Sequence, residues 1–106
     1  MKRLPVEYRP TAAADLENIF TYVLSKSRNP VTAIGYTDRI FARCESIGDA
    51  PFGGVSRSDL GEGIRMVPFE KSVVILYVVE QHHVSITNVF AGGMDYEALL
   101  RRHTEE

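Results

Sequence analysis

The sequence predicts an α+β fold, an antiparallel helix hairpin packed on one face of a small, mainly antiparallel sheet, ordered βααβββ with a short terminal helix. Three observations carry this prediction. Between residues 12 and 47 apolar side chains recur every three or four positions, as in helices buried along one stripe. Between 63 and 91 that period gives way to apolar runs a few residues long, which suit strands. The polar breaks between those runs, at Glu70-Lys71 and near Gln81-His82, are short enough to require antiparallel neighbours. At 106 residues the chain forms one domain with a single modest core.

Residues 2 to 9 alternate, with Leu4, Val6 and Tyr8 on one side, and predict a first strand in which Pro5 requires an edge or a place among the strand's own first residues. Thr11 is placed to N-cap the first helix, whose stripe is Ala12, Leu16, Ile19, Phe20, Val23 and Leu24, with Asp15 and Glu17 near its positive end. The stretch SKSRNP ends it. Asn29-Pro30 starts the second helix, where proline at the first position forfeits no hydrogen bond. Ala33, Tyr36, Ile40, Phe41, Cys44 and Ile47 form its apolar face, and Gly48 ends it. GDAPFGGVSRSDLGEG has neither period and predicts a long surface loop. Strands follow at 63 to 69, 72 to 80 and 83 to 91, and a helix capped by Asp95 runs through Leu99 and Leu100.

A two-residue turn at Glu70-Lys71 would set Phe69 opposite Ser72. That register puts Ile64, Met66, Val73, Ile75 and Tyr77 on one side, with Val84, Ile86, Asn88 and Phe90, facing the helices. Arg65, Val67, Phe69, Val74, Leu76 and Val78 take the other, with Ser85, Thr87 and Val89. The second side would expose an apolar patch of a few hundred square ångströms by rough estimate, large enough to suggest a docking surface. The alternative is that the terminal helix folds over it.

Composition narrows the chemistry. Hydrophobic residues are 44% and charged residues 25%, ordinary for a soluble globular chain, and no apolar run is long enough to cross a bilayer. MKRLPVEYRP lacks the apolar centre of a signal peptide, so a cytoplasmic protein is expected. The single cysteine, Cys44, excludes an internal disulfide framework and a cysteine-based zinc site. A net charge of -2 argues against holding nucleic acid by phosphate neutralisation, and no membrane partner or direct specific nucleic-acid binding is expected.

His82, His83 and His103 lack metal-site spacing, Gly53-Gly54 and Gly61-Glu62-Gly63 do not form a phosphate loop, and no serine sits on a strand-to-helix elbow. No metal or cofactor is expected. A metal-free ribonuclease remains, needing a base, an acid and a cation, for which Arg65, Lys71, His83 and Tyr96 are the candidates. Arg65, at the start of a strand, is open to two readings, a functional cation or a solvated or ion-paired edge residue.

Ala14-Asp15-Leu16, Pro51 and Gly54 of a Pro-x-x-Gly, Gly63-Ile64-Arg65, the apolar strand ending in Tyr77 and the closing Asp-Tyr-Glu-x-Leu-Leu occur in this order over nearly the whole chain. In order and spacing they resemble the ParE branch of the RelE/ParE toxin superfamily. The resemblance implies a small cytoplasmic toxin held in a toxin–antitoxin hetero-oligomer by a ParD-like antitoxin. ParE-like members poison DNA gyrase; RelE-like members cleave messenger RNA on the ribosome. Family members commonly carry an arginine before the acidic residue of the closing motif, whereas here the stretch reads Gly92-Gly93-Met94-Asp95, and methionine cannot stabilise a phosphate. The leading expectation is therefore gyrase inhibition by protein–protein contact with no catalytic residue. Arg65 is the first candidate for a target or partner contact, and Val67, Phe69, Leu76 and Val78 are candidates for the antitoxin-facing patch. The alternatives are a RelE-like ribosome-dependent endoribonuclease and an inactive former toxin that only binds its antitoxin.

Overall fold

The structure, a computed structural model, describes residues 3–70 and 72–91. Lys71, Tyr96 and the terminal helix expected around Asp95, Leu99 and Leu100 lie outside them. Among the described residues seven elements form in order: β1 (Val6–Tyr8), α1 (Pro10–Ser27), α2 (Pro30–Ile47), β2 (Val55–Ser56), β3 (Ile64–Phe69), β4 (Val73–Val79) and β5 (Val84–Ala91). The sheet order is β1-β5-β4-β3-β2. β1 runs parallel to β5, and the other neighbours are antiparallel. The layered α+β architecture is the one expected, with a short extra strand, β2, inside the predicted loop.

Pro10 opens α1, but Thr11 does not cap it; Arg9 occupies the cap position without a side-chain capping bond to the helix, and the Thr11 hydroxyl donates to the Thr87 carbonyl. Asn29 does cap α2, its Oδ1 accepting from Val31 N at 3.0 Å. Between the helices Arg28 takes a left-handed φ of 55° and donates its amide to Leu24 O at 2.8 Å, which ends α1. Gly48 ends α2 with ordinary right-handed angles. Glycine is needed there for space, because a Cβ would collide with the Leu4 carbonyl where Leu4 N meets Gly48 O at 3.0 Å.

Ala12, Leu16 and Ile19 of α1 and Ile40, Cys44 and Ile47 of α2 bury against Val67, Val73, Ile75, Tyr77, Val84, Ile86 and Val89. Two features move residues away from their expected faces. The first hairpin pairs Phe69 with Val73, so its loop has three residues, and Glu70 adopts φ 52°. One extra loop residue shifts the pairing by one and turns β3 over relative to β4. Arg65, Val67 and Phe69 therefore share the helix-facing side with Val73, Ile75 and Tyr77, while Ile64 and Met66 turn outward. The second feature is an irregularity in β5, where Tyr77 pairs with Ile86 and Leu76 with Asn88, leaving Thr87 as a bulge. Beyond it Val89 and Ala91 point to the core, and Asn88 and Phe90 do not.

Candidate partner-binding surfaces

Arg65 stands opposite Tyr77 across the β3–β4 pair. Its Nη2 donates to the carbonyls of Phe52 and Gly54, both at 2.9 Å, and its guanidinium lies 5.5 Å from the Phe52 ring centroid. Tyr77 is fully buried; its hydroxyl accepts from Gly54 N at 3.0 Å and donates to Pro51 O at 2.8 Å. Gly54 is required, since a Cβ would overlap the Tyr77 hydroxyl and lie 2.9 Å from Met66 O. Three separated sequence features, the Pro-x-x-Gly, the Gly-Ile-Arg and the strand tyrosine, thus form one clamp. Its product is a fixed turn that presents Phe52, 68% exposed, beside Val55, 61% exposed.

Arg65 is half-buried and has no acidic partner among the described residues, so it is not an ion-paired edge residue there; loop carbonyls hold its Nη2 instead. Its Nε is buried and unpaired there. Val67 and Phe69, expected beside Leu76 and Val78, belong to the opposite side of the sheet: Val67 is in the core and Phe69 packs against it, edge-on to Tyr36 at 6.4 Å. Leu76 is fully buried and Val78 half-buried on the other side. These four side chains do not form one patch, because the three-residue turn reverses the relation between β3 and β4. Nor is the outer side broadly open, since Ser85, Thr87 and Phe90 are also buried.

Of the ribonuclease candidates, Arg65 is committed to loop carbonyls, and His83, before β5, has Nδ1 3.5 Å from Glu7 Oε2. One strand, β4, lies between β3 and β5 in the sheet. No group of three or more metal-ligating side chains occurs among the described residues. The Cys44 thiol is pushed up to about 12, first by burial and then by Glu45, so it stays protonated and inert.

The face of α1 that meets β5 does more than present the expected apolar stripe. β1 pairs only with Val84, Ser85 and Ile86. Where β1 stops, α1 takes over its hydrogen-bonding work. Thr11 donates to Thr87 O, and one turn later Asp15 Oδ2 accepts from Val89 N at 2.9 Å. Desolvation raises the Asp15 pKa, opposed by the Val89 amide and the Asn88 side chain. Next to Asp15 opens a mainly apolar groove of about 440 Å³ between Asn18, Ile19, Tyr22 and Val23 of α1, Tyr36 of α2, and Ser72, Val89 and Ala91 of the sheet. A second groove, about 450 Å³, lies across the helix pair between Tyr8, Leu16, Phe20 and Phe41. The signal for the first was the four-residue interval from Thr11 to Asp15 at the margin of the apolar stripe; its polar partners on β5 are remote in sequence.

The family model for the ParE toxin of the type II toxin–antitoxin system parDE matches residues 6–96. The chain belongs to the ParE toxin family. No curated protein matches it significantly. Among solved structures, a chain described as the chromosomal ParDE toxin–antitoxin system from P. aeruginosa is similar, with a TM-score of 0.72 and 18% identity over 84% of this chain and 96% of that one. The ParE assignment agrees with the clamp, since Pro51, Gly54, Arg65 and Tyr77 of the sequence resemblance meet there. No helix among the described residues of this ParE-family chain is long and apolar enough to cross a membrane.

Proposed function

We propose that this type II toxin acts in the cytoplasm by binding DNA gyrase, breaking no bond itself, and is neutralised by a ParD-like antitoxin in a hetero-oligomer. Membership in the ParE family supports the toxin role. The observation that favours binding over RNA cleavage is the state of Arg65. Its Nη2 is occupied by the carbonyls of Phe52 and Gly54, and its neighbour across the strands, Tyr77, uses its hydroxyl on the same loop. A cation so employed supports a shape, and the shape presents an aromatic and a valine to a partner. The ribonuclease reading would need that cation turned toward a phosphate, with a proton-transfer group beside it.

Inducing the chain in cells without antitoxin tests the proposal. Growth arrest with DNA breaks, an SOS response and intact transcripts is expected. Cleaved transcripts would replace it with the ribonuclease, and undisturbed growth with an inactive binding module.

A further inference from the structure

The side of α2 that faces away from the core carries apolar residues where a solvated helix is ordinarily polar. Ala33, Thr37, Ile40, Cys44 and Ile47 are buried. Val31 and Ile34, on the opposite side of the helix, are 77% and 50% exposed. Steps of three and four residues put Val31, Ile34, Gly35 and Asp38 on one stripe about two turns long.

Gly35 lies inside this helix, where glycine weakens the structure relative to almost any other residue. Gly48 and Gly54 are glycines because a Cβ would strike their own chain. At Gly35 a Cβ would meet nothing within 4 Å, and its φ is not left-handed, so the fold itself gives no reason for the choice. A bare backbone on an exposed apolar face does allow a second helix to approach closely.

The charges around the stripe point to what that second helix is. Arg39, Arg43 and Glu45 of α2 are each bonded within this chain. Arg28, just ahead of α2, and Asp38, within it, are both exposed, and neither has a charged partner among the described residues. Arg28 precedes Gly35 by seven residues, and Asp38 follows Val31 by the same interval. When two copies of α2 lie antiparallel with Val31 of each on Gly35 of the other, the equal intervals bring each Asp38 to the other copy's Arg28. The face is complementary to itself, as a two-fold contact requires.

We infer that α2 packs antiparallel on α2 of a second copy of this chain, with Val31 seated on Gly35 and Asp38 paired with Arg28 across the interface. One helix face on its equal buries on the order of 1,000 Å² in total, the class of small, transient contacts. The dimer therefore forms and separates with concentration. It leaves the turn carrying Phe52 outside the contact, since that turn follows the other end of α2.

Sedimentation velocity of the full chain across about 5–500 μM, where contacts of this small class associate, is the test. The unaltered chain is expected to pass from monomer to dimer. Gly35→Gln has open space in the monomer and a better helix former in place of glycine, so it is expected to melt no lower than the unaltered chain and to dimerise at least tenfold more weakly. Arg28→Asp and Asp38→Arg each bring like charges together at both ends of the contact, and each alone is expected to weaken association by a similar factor. The chain carrying both exchanges restores opposite charges and is expected to dimerise like the unaltered one. A monomer throughout the range, a dimer indifferent to Gly35→Gln, or a double exchange that fails to restore what the single exchanges remove would overturn the inference. So would association that appears only on adding an antitoxin, which would give the face to that partner instead.

Discussion

Two buried hydroxyl contacts decide the shape of the loop that carries Phe52. The Tyr77 hydroxyl serves Gly54 N and Pro51 O, so Tyr77→Phe leaves a buried donor and a buried acceptor without their partner. The expected cost is about 1–3 kcal/mol, read by urea denaturation, with faster exchange at the Gly54 amide. Asp15 makes a different prediction because its pKa is raised by burial. A carboxyl whose folded pKa exceeds its unfolded value of about 3.9 binds more protons in the folded state, so stability falls as pH rises through the window just above 3.9. Asp15→Asn keeps an oxygen for Val89 N and removes the half-buried charge; it is expected to equal or exceed the unaltered chain in stability at neutral pH and to abolish that slope. Asp15→Ala orphans the Val89 amide and should cost about 1–3 kcal/mol at the same pH. Melting the three proteins across pH 3 to 7, as a rough range spanning the ordinary aspartate value, checks both directions. Stability gained by Asn at the expense of partner binding would mark Asp15 as kept for recognition.

At the scale of elements, both helices and the three long strands were legible because each repeats one period for long enough to average out exceptions. Asn29-Pro30 was legible as a start because capping is local chemistry. The failures occurred where one residue changes a count. Glu70 at φ 52° makes a three-residue turn, and nothing in Phe-Glu-Lys-Ser identifies it, since glutamate is an uncommon residue for that conformation. The consequence was large: Val67 and Phe69 changed sides, and the expected patch divided. Thr87 is the second such residue, and its bulge carries Val89 into the core. Deleting Thr87 makes Ile86 and Asn88 consecutive opposite Tyr77 and Leu76, so Val89 is expected to stay in the core while the hydrogen bonds of Thr87 to Thr11 and Leu76 are lost. The expected loss in urea denaturation is about 0.5–1.5 kcal/mol for each bond; exposure of Val89 to solvent would show that the residues after the bulge do not keep this register. The clamp was half legible. Pro51, Gly54, Arg65 and Tyr77 stood out as motifs, but that they serve one another required the fold, since Pro51 and Tyr77 are 26 residues apart.

For the whole molecule, a near-neutral charge and a closed aliphatic core favour action by contact. The net charge is -2, and the cation most suited to a phosphate is turned to its own loop. The fold leaves apolar side chains outside at Tyr22, Phe41, Phe52 and Val55, distributed between the two grooves and the clamped turn. In the proposed function these separate surfaces are available to a target and to an antitoxin. The most direct measurement is DNA supercoiling by purified gyrase with the toxin added, alone and with its antitoxin. Supercoiling lost with broken DNA accumulating, and restored by antitoxin, is the predicted result; gyrase running unimpeded while the same preparation cuts ribosome-bound messenger RNA would contradict it.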